Sequence, residues 1–155
     1  AKMSKSLGNC IYLSDEPEEI KKKIMSMFTD PNHLRVQDPG RVEGNPVFIY
    51  LDAFSRPEHF AEFLPEYQNL DELKAHYQRG GLGDVKVKKF LNNVMQAELG
   101  PIRERRKMWE QRTEDVFDIL KAGTEVAREK AAATLHDVRS SMRINYFEDQ
   151  DFLNQ

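Results

Sequence analysis

Lys2 and Lys5 stand on one short polar loop, Lys2-Met3-Ser4-Lys5-Ser6-Leu7-Gly8-Asn9, with small hydroxyl residues beside them. Two ammonium groups on such a loop suit the neutralisation of phosphate. The loop can close over a triphosphate and meet the charge that builds on the departing pyrophosphate as a carboxylate attacks the α-phosphate. Groups that meet charge as it develops accelerate the step. Lysine, a compact point charge on a long stem, fits this task, and Gly8 lets the backbone turn without side-chain strain. The plainer alternative is a solvated basic tail.

A second cationic cluster lies far along the chain. Arg103, Arg105, Arg106, Lys107 and Arg112 face only Glu104 and Glu110 between positions 101 and 112. Arg105 and Arg112 fall near one helical face, and Lys86 and Lys89 lie earlier in the same run. A local basic patch of this kind can hold RNA phosphates. It can equally be a solvated helix face with Glu–Arg neighbours paired. Trp109 could stack a base, but a lone tryptophan at helical apolar spacing reads as core. His33, His59, His76 and His136 have no ligand spacing and read as surface or helix-cap residues, so no metal site is expected. Cys10, beside the lysine loop, is either a reactive thiol or a small filler. The acid pairs Glu18-Glu19 and Asp71-Glu72 suit helix starts better than acid–base catalysis.

The elements expected to position these groups are nearly all helical. Residues 2–9 read as loop, and Ile11-Tyr12-Leu13 as a strand stub or helix staple. A helix opens at Ser14 or Asp15 as cap with Pro17 in its first turn. Ile20, Ile24, Met27 and Phe28 form its apolar stripe, and it is expected to stop near Thr29-Asp30-Pro31. Residues 31–46 form a long polar connector punctuated by Pro and Gly. Helices follow at Pro46–Phe54, Pro57 to about Leu64, and Leu70–Tyr77, the last capped by Asn69 or Asp71.

A glycine-rich turn, residues 79–84, precedes a long helix with Val87, Phe90, Leu91, Val94, Met95 and Leu99 on its apolar face. Gly100-Pro101 is expected to kink or restart that helix. A short helix from Thr113 carries Val116, Phe117, Ile119 and Leu120, and ends at Gly123-Thr124. In the last helix Ala127, Ala131, Leu135, Val138 and Met142 form a stripe expected to dock on a partner helix. Residues 145–155 read as frayed. The domain reading is 1–14 for the loop and a remnant of a preceding domain, 15–147 for a helical domain, and 148–155 for an acidic tail.

The 155 residues suffice for a real core. A net charge of −3 gives no global basic field, so an RNA site must be local. The single cysteine excludes an internal disulfide and fits a reducing, cytoplasmic setting. Neither a membrane-length apolar run nor a signal peptide is visible. A polar loop with no element before it is unusual, because loops connect packed elements; the chain is therefore expected to be part of a longer protein.

Lys2 through Ser6 is identical to the signature loop of the class I aminoacyl-tRNA synthetases. The chain beyond it resembles the tryptophanyl branch of that family. The resemblance rests on Ile11 to Asp15, Ile20 to Ile24, Thr29-Asp30-Pro31, Glu43 to Pro46 with Tyr50-Leu51, Gly81 to Lys86 and Leu99 to Arg106 in that order, and it fades after Asn145.

The resemblance implies an all-α helical bundle that binds the tRNA anticodon, preceded by a catalytic loop belonging to a Rossmann domain not in the chain. It implies ATP-dependent activation of tryptophan and its transfer to tRNA(Trp), with Mg2+-ATP as substrate and none held by the fragment. A homodimer is expected for the full-length enzyme and a monomer for the fragment. Lys2 and Lys5 match the catalytic lysines, Lys5 above all for transition-state charge. Met3, Ser4 and Ser6 complete the ATP-binding loop. Anticodon bases are read in the family near the end of the first helix, which nominates Lys23, Thr29, Asp30, Asn32 and Arg35 beside Arg103, Arg105 and Arg106. Thr-Asp-Pro can equally be a plain helix stop.

The His-Ile-Gly-His-type motif and the tryptophan pocket are missing, so this part alone is expected to be inactive. The tyrosyl, methionyl and cysteinyl branches are rivals for specificity. A free-standing helical RNA-binding module and a helical protein-interaction module are rivals of another kind.

Overall fold

Proline opens three of the helices. Pro17, Pro46 and Pro57 each stand in the first turn, where the missing N–H has no intrahelical partner to lose. In the computed structural model, Ser4 and residues 6–146 are described. Among them are six helices: α1 (Pro17–Met25), α2 (Pro46–Phe54), α3 (Pro57–Phe63), α4 (Leu70–Arg79), α5 (Asp84–Glu110) and α6 (Thr113–Ser141), with no strand. The all-α expectation holds for these residues. The sequence 148–155, read as an acidic tail, lies outside them. The chain divides into two compact units, Ala1–Arg106 and Lys107–Gln155.

In the first unit the apolar stripes converge. Ile20 and Ile24 from α1, Phe48 and Leu51 from α2, Phe60 from α3, Leu73 and Tyr77 from α4, and Val87 to Leu99 from α5 form one buried cluster. Phe60 meets Phe90 at 4.6 Å between ring centroids, and Phe48 meets Tyr77 at 4.9 Å, tilted packings that aromatic quadrupoles favour. Asn69 caps α4 as expected, its Oδ1 accepting from the Glu72 N–H at 3.0 Å. Asn45 does the same for α2, accepting from Val47 at 3.0 Å. The chain leaves α4 through Gly80 at φ 87° and ψ 161°, a conformation open essentially to glycine alone.

Several boundaries differ from the sequence reading. Helix α1 stops at Met25, before Thr29-Asp30-Pro31. The buried Lys88 ammonium explains this. It donates to the Met25 carbonyl at 3.0 Å and to the Met27 carbonyl at 2.7 Å. Those bonds satisfy acceptors that another helical turn would have used. At the other end neither Ser14 nor Asp15 caps α1; Glu16 holds the cap position without a side-chain bond. Ile11 to Leu13 form neither strand nor helix. Ile11 packs against the core, and Phe28, placed in the α1 stripe by spacing, is 62% exposed beyond the helix end.

Gly100-Pro101 does not break α5, which runs 27 residues with Pro101 inside it. Burial of Leu99 and Arg103 on either side holds the helical course across the lost hydrogen bond. Gly123-Thr124 likewise lies within α6. There the Thr124 hydroxyl donates to the Leu120 carbonyl at 2.7 Å instead of capping a new helix. No residue of α6 is buried, so the stripe expected to dock lies open among the described residues. Trp109 is half-buried with the Arg112 guanidinium 5.0 Å over its ring, a cation–π contact and not a core position. His33 is buried, contrary to the surface reading, edge-on to Tyr77 at 4.8 Å. His59 is also buried but keeps the cap role, its Nδ1 accepting from the Arg56 N–H at 3.2 Å.

Candidate functional site

Of the lysine loop, Lys2, Met3 and Lys5 lie outside the described residues. Ser4 and Ser6 are described, and they organise the turn. The Ser4 N–H donates to Asn9 Oδ1 at 2.9 Å, the Leu7 N–H donates to Ser4 Oγ at 3.3 Å, and the two serine hydroxyls are 3.1 Å apart. Gly8 takes a φ of 64°. This is the left-handed turn expected of it.

The segment that follows is tied to α1 through one carboxylate. Asp15 Oδ2 accepts from the Tyr12 N–H at 2.8 Å and from Lys23 Nζ at 2.6 Å. The Lys23 ammonium also sits 4.9 Å over the Tyr12 ring. Lys23, nominated for RNA, is thus largely covered, with 14% of its side chain exposed and its charge engaged inside the protein.

The rest of that nominated group sits around the start of the connector. Asp30 Oδ1 accepts from Asn32 N–H at 2.9 Å and Oδ2 from Arg41 N–H at 3.0 Å. The Asn32 N–H above all holds the Asp30 carboxyl below its ordinary value; desolvation opposes it, and the Arg41 amide adds to the lowering. Asp30 therefore bends the connector back on itself. Thr29 is half-buried and Arg35 exposed, its backbone N–H held by Asp38 at 2.7 Å.

A cavity of about 310 Å³ opens here, lined by Phe28, Asp30, Asn32, Arg41, Glu43 and Asn45 among others. Phe28, Arg41 and Glu43 were not nominated as site residues by sequence. The available signal was Phe28 standing next to Thr-Asp-Pro, where an aromatic at a helix end need not continue the stripe.

The connector's far side packs on α4. Gly40 N–H donates to the Tyr77 carbonyl at 2.9 Å, and Gly81 N–H donates to the Val36 carbonyl at 2.6 Å. A Cβ on Gly40 would stand 2.3 Å from the Tyr77 ring, so only glycine allows this approach.

The arginine cluster separates by burial. Arg103 is 8% exposed, its Nη2 donating to Gln96 Oε1 at 3.0 Å while Nη1 has no hydrogen-bond acceptor. Arg105 and Arg106 are exposed. Among the described residues no group of three or more His, Cys, Asp or Glu is placed to hold a metal ion, and no helix is long and apolar enough to cross a membrane.

The signature loop, the helical unit behind it and their order match a known family. Residues 1–100 match the family described as tRNA synthetases class I (W and Y), and the chain belongs to it. The curated relatives point to one branch. The chain is 58% identical over 147 residues to the tryptophan–tRNA ligase of Clostridium longisporum, covering 95% of this chain and 40% of that protein. It is 54% identical over 147 residues to that of Streptococcus mutans, covering 95% of this chain and 41% of that protein. The chain thus spans about 40% of the length of the curated relatives it matches.

Among solved structures it superposes on tryptophanyl-tRNA synthetase from Campylobacter jejuni with a TM-score of 0.69 and 26% identity, covering 92% of this chain and 42% of that one. A second structure of that enzyme, complexed with ADP and tryptophan, matches with a TM-score of 0.69 and 27% identity, covering 92% of this chain and 41% of that one.

Proposed function

We propose that the chain is the C-terminal part of a tryptophan–tRNA ligase, which activates tryptophan with Mg2+-ATP and transfers it to tRNA(Trp). This part supplies the phosphate-facing lysine loop and a helical tRNA-binding surface. The observation that carries the reading is the 58% identity over 147 residues to a tryptophan–tRNA ligase.

Within the loop, Lys2 and Lys5 are catalytic and contact the ATP phosphates together with Met3, Ser4 and Ser6. Lys5 meets the charge that develops on the pyrophosphate. The serine hydroxyls and the Asn9 side chain hold the loop's turn from within. Mg2+ would enter with the nucleotide as part of the substrate and offset part of its phosphate charge. The RNA surface comprises Thr29, Asp30 and Arg35 on the connector, with Arg105 and Arg106 on α5. Lys23 and Arg103 act there by holding their elements in place rather than by reaching phosphate.

The test is a chimera in which this chain replaces the matching 147 residues of the Clostridium relative. It is expected to charge tRNA(Trp) with tryptophan and not with tyrosine, and the 155-residue chain alone to give no pyrophosphate exchange. Lys5→Met in the chimera is expected to lower kcat by about 100-fold or more, the scale of one lost transition-state contact. A chimera that charges equally well with both lysines replaced by methionine overturns the reading.

A further inference from the structure

We propose that Asp15 and Lys23 form a latch that positions the lysine loop for the activation of tryptophan, by fixing the segment through which that loop joins the helical core. The proposal rests on the ligase reading and adds two positioning residues to it, both acting through the loop.

Tyr12 is the residue the latch holds. Its N–H donates to Asp15 Oδ2 at 2.8 Å, and its carbonyl accepts from the Asp15 N–H at 3.1 Å. Lys23 Nζ lies 2.6 Å from the same Oδ2 and 4.9 Å over the Tyr12 ring. One carboxylate oxygen thus joins the loop's exit to α1, and both polar groups of the Tyr12 backbone are engaged. The turn before it is closed within itself by Ser4, Ser6 and Asn9. A shift at Tyr12 is therefore handed to a closed turn, the one that carries Lys5 in its sequence.

The pair is built for geometry more than for stability. Lys21 and Glu18 on the same helix make an ion pair with 57% and 85% of their side chains exposed, whereas Lys23 and Asp15 keep 14% and 12%. An exposed pair contributes little. A covered pair sets its attraction against the cost of desolvating both charges, and what it secures best is one arrangement over others. Here that arrangement is the register of residues 12–15 on α1.

The anchor itself is firm. Ile20 and Ile24 of α1 are fully buried. Gln96 Nε2 donates to the Pro17 carbonyl at 2.9 Å, and Lys88 Nζ to the Met25 carbonyl at 3.0 Å, so α5 holds α1 at both ends with Lys23 between them. Misplacing a reacting group by about 1 Å can cost on the order of 100-fold in rate. A group seated this way is worth holding from a distance.

The experiment is pyrophosphate exchange by the chimera that carries this chain. The assay contains no tRNA, so a contact with RNA plays no part in it. Lys23→Met is expected to lower kcat about tenfold. KM for tryptophan is expected to stay within about twofold, because the loop acts on the nucleotide phosphates. Lys23→Arg, which keeps a cation for the carboxylate and for the ring, is expected to recover most of the rate. Asp15→Asn combined with Lys23→Met leaves no unpaired charge, so this double variant keeps its fold in a thermal melt and still shows the tenfold loss of about one unit in log kcat. In a Lys5→Met background, Lys23→Met is expected to cost about twofold or less, since little remains to position; independent effects would instead multiply.

If the folded double variant exchanges as fast as the parent chimera, or if Lys23→Met costs as much without Lys5 as with it, the latch is overturned while the ligase reading stands. If the parent chimera gives no exchange, the ligase reading falls and the latch with it.

Discussion

Val87, Phe90, Leu91, Val94, Met95 and Leu99 recur on α5 at the same helical interval as Ala127, Ala131, Leu135 and Val138 on α6. The first set is sealed from water and the second is open to it, with Leu135 at 47% and Val138 at 46% exposure. The two helices are 27 and 29 residues long. Periodicity alone therefore states that a helix has an apolar face and says nothing of what covers it. On α5 the cover is supplied by α1, α2, α3 and α4 through their own stripes. On α6 no residue within the described chain is buried.

The largest effect expected from this contrast is in the core. Leu91 is fully buried. Leu91→Ala is expected to cost about 3 kcal/mol through lost transfer energy and a residual cavity. Leu135→Ala on α6 is expected to change stability by about 0.5 kcal/mol or less. Urea unfolding of both variants measures the gap, and equal losses would erase the distinction between the helices.

Next come two glycines. At Gly80 a Cβ would lie 2.2 Å from the Gln37 carbonyl oxygen, at a φ of 87°. Gly80→Ala is expected to cost about 2–3 kcal/mol and to loosen the connector's seat on α4. Gly123, inside α6, is the opposite case, since a Cβ there would meet nothing within 4 Å. Gly123→Ala is expected to stabilise its helix by about 1 kcal/mol. A calorimetric melt in which both shift the same way breaks the comparison.

Lys88→Met sharpens it further. Two carbonyls at the α1 end lose a charged donor. The expected loss is about 2 kcal/mol, whereas Lys121→Met on exposed α6 is expected to change little. Burial lowers the Lys88 ammonium's pKa, with Asp84 acting in the other direction, so part of the gain from capping is offset by desolvation.

The last effect is confined to the alkaline end of the pH profile. Burial and the Asp84 carboxylate, which accepts from the Tyr77 hydroxyl at 2.6 Å, raise the phenol's pKa well above its ordinary 10.0. The unfolded chain then releases this proton first. The contribution is full below pH 10.0 and is lost as pH rises through the alkaline range. The slope for one proton is about 1.4 kcal/mol per pH step of one. Tyr77→Phe, though less stable at neutral pH, is expected to lose that slope in denaturation curves taken above pH 10.0.

Local chemistry made much of the fold legible. Pro17, Pro46 and Pro57 announced helix starts, Asn69 announced a cap, and the α5 stripe named its buried residues, because each signal acts within a turn or two of chain. What escaped depends on partners distant in sequence. Asp15 suits a helix cap by type, yet it serves Lys23 and Tyr12 instead. Lys88 looks like surface until α1 ends against it, and His33 is buried only because the connector folds over Tyr77.

The candidate site divides along the same line. The spelling of the lysine loop was readable outright, whereas Asp30, expected at the stop of the first helix, lies beyond the end of α1 at Met25. Exposure was not readable. Lys23 and Arg103 are cations by sequence and internal struts by geometry, while Phe28, predicted to face the core, opens onto the cavity.

Asp30 has one more consequence. It fastens residue 32 and residue 41 with its two oxygens, so one anion ties the two ends of this stretch together, while bonds to α4 and the turn after it hold its middle. Because that anion binds its proton less readily when folded, the clasp holds above the ordinary carboxylate range and opens only as acidity deepens through the lowered value. Acid should therefore slacken this stretch, while the greasy interior behind it, which has no such proton to gain, stays shut.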